Sequence, residues 1–184
     1  MLVLSESDRE LIELAQVGNR EAFDRLVAMH QERVFNLAFR ILASREDAAD
    51  VQQETFLNAW RSMGKFRGQA AFATWLHRIT VNLCLSRKRR RDWSEISYSD
   101  DMPQDQAGPD CAERADTAII VRRTLMALPS HHRAFIVLRE VEERSFEEIA
   151  QIMGCSVESA RVRAGRARLI MRARLAPLLA GEEL

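Results

Sequence analysis

The stretch from Ser145 to Arg168 concentrates side chains that can bind nucleic acid. Within it, Arg161, Gly165 and Arg168 fall on one side of a predicted helix, at about 100° per residue. Guanidinium groups donate to phosphate oxygens and to guanine edges, so a helix with this face can enter a DNA major groove. An ordinary helical hairpin with a solvated arginine face would show the same pattern. The stretch therefore predicts duplex-DNA binding, with that hairpin as the alternative.

The residues around this face predict a helix-turn-helix. Ser145 and Glu148 have the spacing of a capping box, which favours a helix start. Gly154 allows the left-handed backbone that ends a helix, and Ser156 can cap the next one. The second helix carries a stripe of apolar residues expected to face the core, namely Ala160, Ala164, Ala167 and Met171.

An acidic stripe on a predicted helix, Arg45 to Met63, is a second candidate site. Asp47, Asp50 and Glu54 share a face at i, i+3 and i+7, with Gln53 beside them. A row of carboxylates complements a basic protein surface. Such a row is more often a solvated helix face, so the pattern alone leaves both interpretations open.

Aromatic and basic side chains alternate in a third segment, which begins with a predicted loop at Lys65–Ala70. The following helix carries Trp75, Arg78 and Asn82, and the basic run Arg87–Arg91 ends it. Aromatic rings stack on unpaired bases while cations hold phosphates, so this segment suits single-stranded nucleic acid. Most of the Trp75 indole is expected in the core, with its edge toward DNA.

The periodicity of apolar residues predicts an all-helical scaffold for these candidate sites. Helices are predicted at 8–17, 21–42, 45–63, 71–89, 117–128 and 131–141, ahead of the helix-turn-helix. The first helix has Leu11, Ile12, Leu14 and Ala15 as its apolar face, and the amphipathic helix over 117–128 has Ile119, Ile120, Leu125 and Leu128 as its apolar residues.

Charge is segregated along the 184 residues, although 27 basic and 27 acidic residues balance overall. Residues 1–91 hold 15 basic and 11 acidic residues, 92–116 hold 1 and 8, and 117–184 hold 11 and 8. Two mildly basic lobes on an acidic tether fit a polyanion that is touched at two places. We therefore expect two small helical domains, 1–91 and 117–184, joined by a flexible linker at 92–116.

Several classes of protein are disfavoured by the composition. The three cysteines are far apart, the four histidines offer no i, i+4 pair, and no nucleophile constellation or phosphate loop is present. We expect no catalytic residues, metal or cofactor. No apolar run approaches 18 residues and the N-terminus lacks a signal pattern, so we expect a cytoplasmic protein that does not enter a membrane.

Three segments resemble, in family order, the extracytoplasmic-function (ECF) sigma factors of bacterial RNA polymerase, of the sigma-E type. DAADVQQETF resembles the clamp-helix-binding motif D-A-E-D-V-V-Q-E-x-F. The segment FRGQAAFATWLHRITVN resembles the −10 motif F-R-x-x-S-x-F-x-T-W-L-x-R-I-A-x-N. ALPSHHRAFIVLREVEERSFEEIA and the arginines after it resemble the −35 region. Ala70 and Val162 stand where the family usually has small hydroxyl residues.

The resemblance implies a role for each segment. The implied core-polymerase-binding residues are Asp47, Asp50, Gln53, Glu54, Phe56 and Trp60. The implied −10 residues are Lys65, Phe66, Arg67, Gln69, Ala70, Trp75, Arg78 and Asn82. The implied −35 residues are Arg139, Ser159, Arg161, Val162, Gly165 and Arg166.

The resemblance also implies partners and a cellular role. It predicts an alternative sigma factor that binds the clamp helices and flap of core RNA polymerase and promoter DNA. It further predicts a stress-response function and an inhibitory anti-sigma factor, typically membrane-anchored. From the residues alone, an ordinary helix-turn-helix regulator remains an alternative, as does an interaction protein whose acidic helix docks on a basic partner.

Overall fold

The computed structural model describes the backbone of residues 6–68, 70–94 and 112–180. The first four helices are α1 (Glu6–Gln16), α2 (Arg20–Leu42), α3 (Arg45–Ser62) and α4 (Phe72–Ser94), with a 3-10 turn at Met63–Lys65. The other four are α5 (Ala112–Met126), α6 (Ser130–Ile136), α7 (Phe146–Met153) and α8 (Val157–Ala180), with a π-helical turn at Val137–Val141. The described ranges contain no strand, which confirms the all-helical prediction.

Side-chain hydrogen bonds cap the N-terminal ends of four of these helices. The side chains of Asn19 and Ser44 accept from backbone N–H groups of α2 and α3, at 3.0 and 3.1 Å. Ser145 and Glu148 form the predicted reciprocal capping box of α7. Ser156 accepts from the N–H of Ser159 at 3.1 Å, in the first turn of α8. Each bond satisfies a donor that a helix start otherwise leaves open.

Helices α1 to α4 enclose the first apolar core. The largest of its fully buried side chains include Leu26, Phe72 and Leu76. Leu14 was predicted in this core but is 40% exposed. It lies about 60° from Leu11, on the side of α1 away from Ala15, so it falls at the edge of the buried stripe.

Helices α5 to α8 form the second group, and α6 and α8 pack against each other. The predicted stripe of α8 is inside: Ala160, Ala164 and Ala167 are buried. Ile119 was predicted on the core face of α5 but is 45% exposed. Thr124 is buried in α5 instead, and its hydroxyl can enter the core because it donates to the Ile120 carbonyl at 2.9 Å.

The two groups of helices share one apolar cluster. Ile41, Val51 and Val81 from the first group belong to the same buried cluster as Leu138 and Ile149 from the second. Helix α4 packs on α7, and α2 packs on α6. The structure therefore brings the two predicted domains into contact, which the sequence pattern did not indicate. Most of the predicted linker, residues 95–111, lies outside the described residues.

Polar contacts also join the two groups. The buried Arg133 guanidinium of α6 donates to the Ile41 carbonyl of α2 at 2.6 Å. It also donates to the Leu125 and Met126 carbonyls at the end of α5 and to the Leu128 carbonyl just after it. Burial lowers the pKa of Arg133 to about 10, so it remains charged at neutral pH. Arg40 of α2 forms a 2.7 Å ion pair with Glu142.

Candidate nucleic-acid and protein interfaces

The predicted acidic stripe divides into an exposed part and a buried part. Asp50, Gln53 and Glu54 are exposed on α3, and Trp60 is 36% exposed two turns further on. We call these four residues the acidic face. Asp47 and Phe56, in contrast, are only 7% and 9% exposed. The surface available to a partner is therefore narrower than the predicted set.

The buried Asp47 carboxylate lies beside an arginine of α4. Arg87 lies 3.7 Å from Asp47 and forms a 2.9 Å ion pair with Asp50. Arg87 belongs to the basic run that was predicted to touch phosphate. In this structure it ties α4 to the start of α3 and offsets part of the acidic charge there.

A groove of about 660 Å³ lies beside the acidic face. Its apolar wall contains Phe23 of α2 and Trp60 of α3, whose ring centroids are 5.0 Å apart. Leu57 also lines the groove and is 50% exposed. An apolar groove rimmed by Asp50 and Gln53 can receive a helix that presents both apolar and basic side chains.

The predicted −10 segment forms a cleft of about 290 Å³. We call it the loop cleft. Cationic groups lie at its rim, because Lys65, Arg67 and Arg78 are exposed, while Trp75 is half-buried in its wall. The described lining is Lys65, Phe66, Arg67, Ala70, Thr74, Trp75, Arg78 and Gln151. This combination of an aromatic wall and cationic rim suits an unpaired base and its phosphate.

Rings and one amide hold the loop of this cleft in place. Phe66 lies 5.6 Å from Phe72 in an edge-to-face contact and 5.0 Å from Trp75, centroid to centroid. The Gln16 side chain of α1 donates to the Phe66 carbonyl at 2.6 Å. Gly68 has φ +66°, a conformation that side-chain-bearing residues rarely adopt. The loop is therefore fixed by α1 and α4 together.

Two other predicted −10 residues are not among the described lining residues of the cleft. Asn82 is exposed on α4 and does not line the loop cleft, and Gln69 lies outside the described residues. Gln151 of α7 lines the cleft although it belongs to the second group of helices. Gln151 could not be found from the sequence pattern, because its contribution depends on how α7 packs against α4.

The predicted −35 residues gather on and beside α8. Arg161, Val162 and Arg166 are exposed, and Val162 is 56% exposed despite being apolar. A Cβ added at Gly165 would meet no described atom within 4 Å, so the surface is open there. We call Arg161, Val162, Gly165 and Arg166 the arginine helix face. Its positive charge and its position along an exposed side of a helix suit a major groove.

The start of α7 supports this face. Arg139 and Arg161 both lie over the Phe146 ring, with their guanidinium carbons 4.7 and 5.4 Å from its centroid. Ser159 is half-buried, and its N–H is used in the cap of α8. Burial alone would raise the pKa of Glu148, but the Ser145 backbone N–H and the Arg144 guanidinium outweigh it and lower that pKa. The capping carboxylate is therefore ionised.

Two findings concern the described residues as a whole. No group of three or more His, Cys, Asp and Glu side chains there is arranged to hold a metal ion. None of the helices in the described ranges combines the length and the apolar character needed to cross a bilayer.

Burial raises the pKa of the Cys84 thiol to about 12, so that cysteine is protonated at neutral pH.

Two family models match this chain, and together they cover more than half of it. Residues 26–94 match sigma-70 region 2, which contains the acidic face and most of the loop cleft. Residues 118–171 match sigma-70 region 4, which contains the arginine helix face.

Several characterised proteins are similar over nearly their whole length. The RNA polymerase sigma-H factor of Pseudomonas aeruginosa is 36% identical, covering 97% of this chain and 98% of that protein. The ECF RNA polymerase sigma-E factor of Haemophilus influenzae is 37% identical, with 94% and 97% coverage. The ECF sigma factor SigM of Mycobacterium tuberculosis is 38% identical, with 94% and 85% coverage.

Solved structures agree with this likeness. CnrH, solved in complex with the cytosolic domain of CnrY, has a TM-score of 0.66 and 32% identity, covering 96% of this chain and 99% of that one. The sigma factor RpoE of Bartonella quintana, solved with the anti-sigma factor NepR, has a TM-score of 0.69 at 22% identity, covering 84% and 96%. Its likeness concerns the fold alone. With both regions present in order and the similarity running along the whole chain, the protein belongs to the ECF sigma factors of the sigma-70 family, which are non-enzymatic transcription initiation factors.

Proposed function

We propose that this sigma factor uses three separate surfaces to direct core RNA polymerase to its promoters. The acidic face and its groove bind the enzyme, the loop cleft captures unpaired −10 bases, and the arginine helix face reads the −35 duplex. One observation carries the proposal: Arg161, Val162 and Arg166 are exposed on a helix whose other side is buried against its own domain. Run-off transcription with core polymerase and genomic DNA tests it, and the absence of new promoter-specific transcripts would contradict it.

The acidic face is assigned to core polymerase because it combines carboxylates with an open apolar groove. Changing Asp50 and Glu54 to lysine replaces attraction toward a basic surface with repulsion, so assembly with core polymerase should fall. The Arg87–Asp50 pair is lost as well, but Asp50 is 55% exposed and the cost to stability should be small.

A matched control for this assay is the double change Glu10→Lys and Glu13→Lys on α1, which alters the net charge equally. Co-purification with core polymerase should fall for the α3 variant and persist for the α1 variant. Equal co-purification of the folded α3 variant and the wild type would remove the assignment.

The loop cleft is assigned to the −10 element because its rim is cationic and its wall aromatic. We expect the full chain, assembled with core polymerase, to bind single-stranded −10 DNA of the non-template strand more tightly than its complement. A protein that held only phosphates would bind both strands equally at physiological salt. Equal binding of the two strands would therefore contradict base capture.

The arginine helix face is assigned to −35 reading, with Arg166 and Val162 as its test. Arg166→Ala should cost roughly 1–3 kcal/mol if its guanidinium reads a base. Val162 offers only apolar contact, so Val162→Ser should move the preferred site toward the common family sequence. Selection from randomised −35 duplexes measures both, and identical preferred sites for wild type and Val162→Ser would contradict the assignment.

The packing of α4 on α7 bears on how the two DNA surfaces work together. The −10 and −35 elements are roughly 25 base pairs apart, or about 85 Å at 3.4 Å per base pair. A compact chain of 184 residues has a radius of gyration of about 16 Å. Since one compact unit cannot reach both elements, we infer that the two groups of helices separate when the factor engages a promoter.

We also infer control by an anti-sigma factor, in a stress response and in the cytoplasm, where polymerase acts. Support comes from CnrH and RpoE, which were both solved with proteins bound to them, an anti-sigma factor in the case of RpoE. A membrane-anchored inhibitor should be captured by the tagged chain from detergent-solubilised native membranes. Adding the purified partner should then lower run-off transcription, and unchanged transcription would contradict this inference.

A further inference from the structure

Arginines from two elements converge on the ring of Phe146, the first residue of α7. Arg139 reaches it from the π-helical turn and Arg161 reaches it from α8. Arg139 is also tied down by a 2.8 Å hydrogen bond from its Nη1 to the Arg144 carbonyl. Two cations from separate elements are therefore gathered around one aromatic side chain, although like charges repel each other.

The ring itself has a fixed position. It follows Ser145, whose reciprocal bonds with Glu148 set the first turn of α7. Its buried side packs against the shared apolar cluster. A ring held by a helix cap and by core packing is a rigid support for a mobile guanidinium.

An arginine side chain that rests on a rigid ring binds DNA at a lower entropic cost. A free arginine loses rotamer freedom on binding, whereas one already stacked on an aromatic ring loses less. Arg161 is exposed on the arginine helix face, so it has this freedom to lose unless something restrains it. The contact with Phe146 supplies that restraint.

We propose that Phe146 is a positioning residue for −35 recognition: its ring holds Arg139 and Arg161 in the orientation in which they meet DNA. This rests on the proposed −35 function. Phe146 touches no DNA in this role and acts through the two arginines. A leucine at this position keeps an apolar side chain on the core but removes the aromatic face.

The test uses holoenzyme reconstituted from the full chain and core polymerase. The measured quantity is the ratio of its affinities for a promoter with the selected −35 site and for one with that site scrambled. Phe146→Leu should lower this ratio about three- to tenfold, because Arg139 and Arg161 would then lose more rotamer freedom when they bind the selected site. Phe146→Tyr, which keeps the ring, should stay within about twofold of wild type.

A double-mutant cycle separates positioning from simple packing. Arg161→Ala should lower the ratio at least twofold less in the Phe146→Leu background than in the wild type. Arg166→Ala is the matched control and should cost the same in both backgrounds. An equal cost of Arg161→Ala in both backgrounds would overturn the proposal.

Two controls distinguish a role of Phe146 in positioning from a folding defect and from a failure of the proposed −35 function. Thermal unfolding and binding to core polymerase should be nearly unchanged in Phe146→Leu; if the variant unfolds early, Phe146→Met replaces it in the same cycle. Wild-type holoenzyme that cannot distinguish selected from scrambled sites would contradict the −35 function itself. Wild type that distinguishes them, with Phe146→Leu behaving identically, would overturn only the role of Phe146.

Discussion

The loop cleft and the arginine helix face differ in what surrounds them. The loop cleft is bounded partly by Gln151, which belongs to the other group of helices. The arginine helix face is open to solvent along one side of α8. One proposed DNA surface therefore depends on the relative position of the two helix groups, and the other does not. Changes at the contact between the groups should alter the first surface more than the second.

Arg133 should give the largest effect, because its guanidinium supports both groups of helices. Arg133→Met leaves four carbonyls without their charged donor and should lower the free energy of unfolding by about 3 kcal/mol or more. Urea unfolding followed by tryptophan fluorescence measures this. Arg123→Met changes an exposed arginine of α5 and should stay within about 0.5 kcal/mol of wild type. Equal midpoints for both variants would contradict the structural role of Arg133.

Acid should weaken the protein through His77, a buried side chain of α4. Its pKa is lowered from 6.5 to about 3, mainly because burial removes water from the imidazole. The positive charge of Arg144, from the second group of helices, is the next largest cause, and His30 and Arg33 contribute as well. Folded protein keeps this imidazole neutral while the unfolded chain protonates it, so stability present above pH 6.5 is lost as pH falls toward 3.

Between pH 7 and pH 5 the loss attributable to His77 is about 2 kcal/mol. Urea midpoints at several pH values give the slope. His77→Phe should flatten that slope over this window, whereas His131→Phe, an exposed histidine, should leave it in place. A slope that survives His77→Phe would show that another group is responsible.

Breaking the ion pair between Arg40 and Glu142 should weaken the contact between the two helix groups and leave the arginine helix face unchanged. Arg40→Glu replaces the 2.7 Å ion pair with repulsion from Glu142, and with 40% of the Arg40 side chain exposed the cost to stability should be about 1–2 kcal/mol. Hydrogen exchange at the α4–α7 contact should rise roughly five- to thirtyfold, while exchange in α8 should not change. Adding Glu142→Arg should restore protection, and a double variant no better than the single would rule out this pair as a fastening.

Gly165→Ala should have the smallest effect and should act on the open surface alone. The added methyl meets no described atom within 4 Å, so the gain in helix propensity should raise stability by up to about 1 kcal/mol. The thermal midpoint should rise by about 2–4 °C. Gly154→Ala is the control and should lower it, because Gly154 has φ +63°. A fall in the midpoint for Gly165→Ala would show that α8 is constrained there.

The helices and the surface of α8 were predictable because their determinants are local. Caps such as Ser44 and Ser145 act on residues three positions away. The 3.6-residue period of α8 is enough to place Ala160 and Ala164 inside and Arg161 outside. Family resemblance added roles to these residues, but their exposure follows from the pattern.

Tertiary structure decided the features that depend on distant residues. The sequence could not show that Asp47 is buried beside Arg87, 40 residues away, or that Arg133 reaches the carbonyl of Ile41. Nor could it show that Gln151 lines a cleft built mainly by α4 and the loop before it. Helical periodicity states which side of a helix is apolar, whereas the partner that covers that side is chosen by packing between elements far apart in the chain.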